Sequence, residues 1–242
     1  GWGGGGRRGA APTVRREGDA LVPVEDPFEA FAAGREARDL GDPVVGELLA
    51  PCEPLVVVGI AQNGPDHASP VQAWLKSPRT VVPSGRVVCL RRDAGQVVAE
   101  GEIAVVIGRP TAGLTPETAH EFVLGITAVD DLSSPDRAAW DPRNFESKSG
   151  EGYTPLGPWI DTRADIDDVD VELAVGDRRP IRMSSDELPV GIRDCLAYVA
   201  AWSELGPGDV VMTGAPRALC PVDPGETISV RVGEVRLVTP TA

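Results

Sequence analysis

Between Leu55 and Pro240 the chain is a series of short apolar runs rich in valine and isoleucine, each closed off by glycine or proline: "LVVVGIA", "QVVAEGEIAVVIGR", "FVLGITAVDD", "DVDVELAVGD", "DVVMTGA", "TISVRVG" and "VRLVTP". β-Branched residues suit a pleated, half-buried surface, and runs this short cannot become long helices. "GRVVCLRR" extends the series as a further predicted strand. Gly233-Glu234, between two alternating runs, predicts a closing hairpin. Twenty-eight glycines and 23 prolines against 5% aromatics fit the same turn-rich architecture. Two segments read as helices. "TPETAHEF" has Thr115 as N-cap and Pro116 at the first helical position. "SSDELPVGIRDCLAYVAAWSEL" places Ile192, Leu196, Val199 and Ala200 on one face. Many strands with few helices predict a mainly β, α+β fold rather than an alternating βα one.

Residues 1–50 read as a small N-terminal lobe and residues 51–242 as the main domain. In the lobe, "TVRREGDALVPV" predicts a hairpin turning at Glu-Gly-Asp, and "PFEAFAAGREARDL" has helical spacing. The glycine-rich opening "GWGGGGRRGAA" reads as a frayed terminus without function.

The formal net charge of −14 argues against a nucleic-acid partner, because the phosphate backbone would be repelled without a concentrated basic patch. "RVVCLRR" is short and broken by apolar residues. Cys52, Cys89, Cys195 and Cys220 are far apart, with no C-x-x-C pair to suggest a zinc or redox site. No signal peptide and no apolar run of membrane-spanning length is present, so a cytoplasmic protein with no membrane partner is expected.

The chemistry concentrates in "GQVVAEGEIAVVIGRP", residues 95–110. Side chains alternate along a strand, so Glu100 and Glu102 share one face. Two carboxylates that close repel each other unless a cation or a proton intervenes. A bare E-x-E is more commonly an exposed sheet edge, yet Val97, Val98, Ile103, Val105 and Val106 around it favour burial. Asp130 and Asp131 end another apolar strand. They suit a turn or cap, or a third carboxylate for a hard, oxygen-loving dication such as Mg²⁺. Lys148 lies in a small, polar segment before "TPLGPWI". His67 lies in the turn-rich "AQNGPDHASP", whereas His120 sits in "ETAHEF" and reads as structural.

In sequence order, "GIAQNGPDHA", "LKSPRTVVPSG", "AEGEIAVVIGR", "LGITAVDDLSSPD", "KSGEGYTPLGPWI" and "GDVVMTGAP…PGETISVRVGEV" resemble the signature segments of the fumarylacetoacetate hydrolase family, from about residue 55 to residue 237. The resemblance implies a mixed β-sandwich or rolled barrel, a homodimer, and a divalent metal held by Glu100, Glu102 and Asp131. That metal is Mg²⁺, with Mn²⁺ or Ca²⁺ as alternatives. Asp130 stands where the family usually has Asn. Lys148 and His67 match the family's lysine and loop histidine. The implied substrate is a small anionic 2-oxo acid or diketone that chelates the metal through two oxygens. By the same resemblance, the metal would supply Lewis-acid polarisation of the carbonyl for the breaking of a C–C bond. His67 would be the general base for water.

Several positions depart from the family pattern. The loop tyrosine is Gly64, the glutamate three residues after the histidine is Pro70, the Arg-Asp after the aspartate motif is Pro135-Asp136, and the second threonine of the T-G-T-P turn is Ala215. The metal core is intact, while the loop and substrate contacts are altered. The resemblance therefore implies a Mg²⁺-dependent C–C bond hydrolase. The alternatives are a decarboxylase or keto–enol isomerase at the same metal, or an inactive member serving as a binding subunit.

Overall fold

In the computed structural model, which describes residues 11–242, the chain divides into two compact units between Glu47 and Leu48. The opening residues 1–10, read above as a frayed terminus, lie outside the described residues. In the first unit, β1 (Val14–Glu17) and β2 (Ala20–Pro23) form the expected hairpin. Gly18 takes the left-handed turn position there, at φ +61°. A short helix, α1 (Pro27–Ala32), follows. The Asp26 side chain caps it by accepting from the Phe28 and Glu29 backbone N–H groups.

The second unit carries β3 (Val57–Gln62), β4 (Val71–Lys76), β5 (Val81–Pro83), β6 (Val97–Ile107), β7 (Val123–Asp130), β8 (Thr154–Leu156), β9 (Asp170–Val175), β10 (Ile181–Ser184), β11 (Val210–Met212), β12 (Leu219–Val222), β13 (Thr227–Val232) and β14 (Val235–Pro240). Its helices are α2 (Pro135–Ala138), α3 (Phe145–Lys148) and α4 (Ile192–Trp202). The mainly-β reading holds. A large mixed sheet runs β4-β3-β11-β6-β7-β8-β5, with β12 also paired to β6. A smaller antiparallel sheet runs β10-β9-β13-β14, and its β13 and β14 are the hairpin predicted at Gly233-Glu234.

The two sheets stack face to face, and β6 is the strand on which the arrangement turns. A Cβ at Gly101 would lie 3.1 Å from Leu173 of β9 and 3.3 Å from Val230 of β13. The odd-numbered side chains of β6, Val97, Ala99, Ile103, Val105 and Ile107, join the buried apolar core. The even-numbered face, carrying Glu100 and Glu102, therefore points away from the smaller sheet. Because β6 is flanked by β7, β11 and β12, it is an interior strand, not an edge.

Two expectations are corrected. "TPETAHEF" is not an α-helix. Its N–H groups bond three residues back, Thr118 to Thr115 at 3.1 Å and Glu121 to Thr118 at 2.9 Å, and a 3₁₀ turn over Ala119–Phe122 leads straight into β7. The strand predicted in "GRVVCLRR" shrinks to one bridge, Val88 with Thr241, before a 3₁₀ turn over Arg92–Ala94 takes the chain away. The second predicted helix forms as α4. Ile192, Leu196 and Val199 are buried on its inner face and Ala200 is half-buried. Among the described residues, no helix is long and apolar enough to cross a membrane.

Candidate metal centre

The site is assembled by the alternation of two neighbouring strands. β6 and β7 pair antiparallel with Gly101 opposite Asp130 and Glu102 opposite Val129, and the Asp131 N–H donates to the Glu100 carbonyl at 2.8 Å. Directly opposed residues share a face. Asp131 thus joins Glu100 and Glu102, while Asp130 is turned with Gly101 toward the core. One oxygen from each of Glu100, Glu102 and Asp131 lies within 4.8 Å of the others.

Each carboxylate has its own partners. Glu100 accepts from the Lys148 ammonium at 2.8 Å and the Ser133 hydroxyl at 3.3 Å. Glu102 accepts from the Gly214 N–H at 2.7 Å. Gly214 has φ +83°, and a Cβ there would come within 2.7 Å of the Ile60 carbonyl, so only glycine presents its N–H this way. Asp131 is shared by two lysines: Lys148 donates to Oδ2 at 2.6 Å, and Lys76 donates to Oδ1. Lys76 also donates to the carbonyls of Tyr153 at 2.6 Å and Leu132 at 3.4 Å. The Lys148 ammonium lies 5.2 Å from the centre of the Trp74 ring.

Burial and crowding set the ionisation. Burial, then the charges of Asp131 and Glu100, push Glu102 well above the ordinary carboxylate range. Burial also raises Glu100, against the pull of Lys148. Burial alone would raise Asp131, but Lys148 and Lys76 hold it below its usual value. Burial would lower Lys148, but the carboxylates around it overcome that and raise it. Burial lowers Lys76, with Asp131 opposing and Lys148 adding to the effect. Asp130, on the core face, is pushed up to about 8 by burial. Among the described residues no well-aligned donor reaches either of its oxygens, and the Glu100 backbone N–H contributes only weakly.

Glu100, Glu102 and Lys148 line a cavity of about 300 Å³ together with Trp74, Asn144 and Leu219. The expected residues Glu100, Glu102, Asp131 and Lys148 are thus brought together. Lys148 is buried at the end of α3, in a segment whose composition suggested an open polar loop. His67 is not among the residues lining this cavity. It is exposed, and its Nδ1 is engaged by its own loop, 2.8 Å from the Ser69 carbonyl and 3.0 Å from the Ser69 N–H. His120 is also exposed, 3.2 Å from Arg193. Sequence reasoning missed Lys76 as a member of the cluster. The available signal was a lysine ending an amphipathic strand immediately before Ser-Pro in "LKSPRTVVPSG", a position that ordinarily reads as solvated.

The donor set fits a hard dication. Three carboxylates with only two lysines among them leave one net negative charge, and the oxygen spread is one that a single ion with ligands at about 2.0–2.6 Å can draw together. The chain is thus a mainly β domain carrying an acidic cluster that could hold a divalent ion. The family model for the C-terminal domain of fumarylacetoacetate (FAA) hydrolase matches residues 44–239, and the chain belongs to that family. It is 31% identical to Protein Rv2993c of Mycobacterium tuberculosis over 79% of this chain and 77% of that one. It is 27% identical to a maleylpyruvate hydrolase of Aquipseudomonas alcaligenes, over 72% of this chain and 60% of that one. The crystal structure of 5-carboxymethyl-2-hydroxymuconate delta-isomerase from Mycobacterium smegmatis superposes with a TM-score of 0.85. It is 29% identical and covers 96% of this chain and 94% of that one.

Proposed function

We propose that this protein is a Mg²⁺-dependent hydrolase that cleaves a C–C bond in a small 2-oxo acid or β-dicarbonyl compound, acting as a homodimer. The observation that carries the reading is the convergence of Glu100, Glu102 and Asp131 on one face, with Lys148 between two of them and with Glu100, Glu102 and Lys148 lining a cavity. These three carboxylates would hold the ion, with Mn²⁺ or Ca²⁺ as substitutes. When bound, it supplies Lewis-acid polarisation of the substrate's carbonyl oxygens.

The chain's own groups do the rest. Lys148 keeps its proton in the field of the carboxylates, so its ammonium orients Glu100 and Asp131 and offers a donor to a substrate oxygen. Gly214 fixes the Glu102 carboxylate from the far side. His67 would take the proton from the attacking water when its loop lies over the cavity.

A second reading, decarboxylation or keto–enol isomerisation, draws support from His67. Its ring nitrogen is engaged by Ser69, and Pro70 stands where a glutamate would orient it. Neither of those reactions needs an activated water. Similarity to both a hydrolase and an isomerase supports the class without choosing within it. The test is a panel of acylpyruvates and oxaloacetate with Mg²⁺, read for released acid against CO₂. Acid from acylpyruvates supports the hydrolase. CO₂ alone replaces it with the decarboxylase. Turnover that is insensitive to chelator overturns the metal site.

A further inference from the structure

Two observations restrict what the cavity can hold: its charge count and the character of its walls. Glu100, Glu102 and Asp131 carry three negative charges, and Lys76 and Lys148 two positive ones. Lys76 has three acceptors for its three N–H bonds, Asp131 Oδ1 and the carbonyls of Leu132 and Tyr153, as an ammonium requires. A dication therefore leaves the cluster with one net positive charge, which one carboxylate neutralises.

Among the described residues, the cavity offers no second cation for a second anion; besides Lys148, its polar lining side chains are the carboxylates and the uncharged amides of Gln62 and Asn144. Lys148 is the only cation among the described lining residues, and with Glu100 and Asp131 on two of its N–H bonds it has one left, for the substrate's first carboxylate. The Gln62 amide is spent on the backbone at Val190 and Thr213. Arg217, next to the lining residue Pro216, does not itself line the cavity; it is exposed to solvent and faces Glu187 at 2.8 Å. Away from the carboxylates, Lys148 and Asn144, the wall is mostly apolar: Ile60, Ala61, Trp74, Ala215, Pro216 and Leu219. Leu219 on β12 is directly opposite Glu100 on β6, so this wall begins beside the charged cluster.

Resting on the metal-site reading above, we infer that the substrate carries a single carboxylate, held at the charged cluster, and an uncharged, apolar remainder that lies along Trp74, Pro216 and Leu219. A second carboxylate there would be desolvated beside two glutamates with no cation of its own.

The test uses two 2-oxo acids of the same carbon count, 2-oxohexanoate and 2-oxoadipate, titrated calorimetrically into the Mg²⁺-loaded protein. The expected result is at least about tenfold tighter binding of 2-oxohexanoate. Equal or tighter binding of 2-oxoadipate, or binding of neither, overturns the inference. Leu219→Arg, at a position 47% exposed and so tolerant of change, should narrow or reverse the preference. An unchanged ratio would remove the tail from that wall. Failure of Mg²⁺ to bind, or of any C–C bond to break, strikes the proposed function. A 2-oxoadipate preference in a protein that binds Mg²⁺ strikes only this inference.

Discussion

Lys76 and Asp131 form an ion pair in which neither side chain has any exposure to solvent. The pair joins the end of β4 to the residue after β7, and the Tyr153 carbonyl, 2.6 Å from the ammonium, ties in the segment before β8. Removing one partner of such a pair leaves the other buried and uncompensated. Lys76→Met should therefore lower stability by about 3–5 kcal/mol in chelator-treated protein, measured by urea unfolding. Mg²⁺ should restore more stability to this variant than to the parent, because its cluster lacks one positive charge. A loss below about 1 kcal/mol would mean that the pair is poorly formed.

Metal linkage gives the second prediction. An ion that binds only the folded chain stabilises it by about 2.7 kcal/mol at a hundredfold excess over its Kd. For a chain of this length, that is a rise in Tm of roughly 5–10 °C. Mg²⁺ or Mn²⁺ added to stripped protein should give such a rise, followed by scanning calorimetry, and Glu102→Gln should remove most of it. Glu102 is the informative choice because the Gly214 N–H can still donate to the amide oxygen, so the variant keeps its local geometry. A rise that persists in Glu102→Gln would place the ion elsewhere.

Part of this site was legible in the sequence for a simple reason: alternation along a strand is periodic. Glu100 and Glu102 had to share a face. Choosing between Asp130 and Asp131 on physical grounds needed the register between β6 and β7, which no single segment encodes; the resemblance supplied Asp131 instead. That register puts Asp131 with the glutamates and turns Asp130 to the core. Lys76 was invisible because its ion pair spans 55 residues of chain. Thr115 and Pro116 carry real N-terminal helix signals, but the chain must enter β7 at Val123, and tertiary structure overrode local preference. The position of His67 rests on a loop, where sequence sets the turn chemistry but not the approach to a cavity.

Asp130 supplies a pH prediction. Its carboxyl, pushed to about 8 in the folded chain, stands against about 3.9 when unfolded. A raised folded value means that the group's contribution to stability is complete below the unfolded value and is lost as pH rises to the folded one. Asp130→Asn removes that loss. In chelator-treated protein the variant should gain on the parent by roughly 1.4 kcal/mol per pH unit between about pH 4 and 8, and level off above. Parallel stability profiles for the two proteins would show that Asp130 is ionised and solvated.

Trp74 lies directly across Gly59, its register partner on β3, and a Cβ on Gly59 would come within 2.3 Å of the indole ring. The bare glycine lets the ring sit against the strand, with its centre 5.2 Å from the Lys148 ammonium. Gly59→Ala must displace the ring, at a cost of about 1–3 kcal/mol from overpacking. Tryptophan fluorescence should shift, and catalytic activity should fall because Lys148 loses one wall of its setting. An unchanged spectrum and stability would show that the ring has free space beside it.

His67 separates the two reaction types. As general base for water it should contribute about 10²–10⁴-fold, so His67→Ala should lower acylpyruvate hydrolysis by that factor. Any release of CO₂ from oxaloacetate, which consumes no attacking water and which the single-carboxylate inference expects to be slow, should be unchanged in the same variant. The exposed position of the loop makes the substitution structurally mild, so the Tm should stay at the parent value. Steady-state rates on both substrates with one preparation decide the matter. If hydrolysis survives the substitution intact, the water is activated by another group, and His67 serves only its own turn with Ser69.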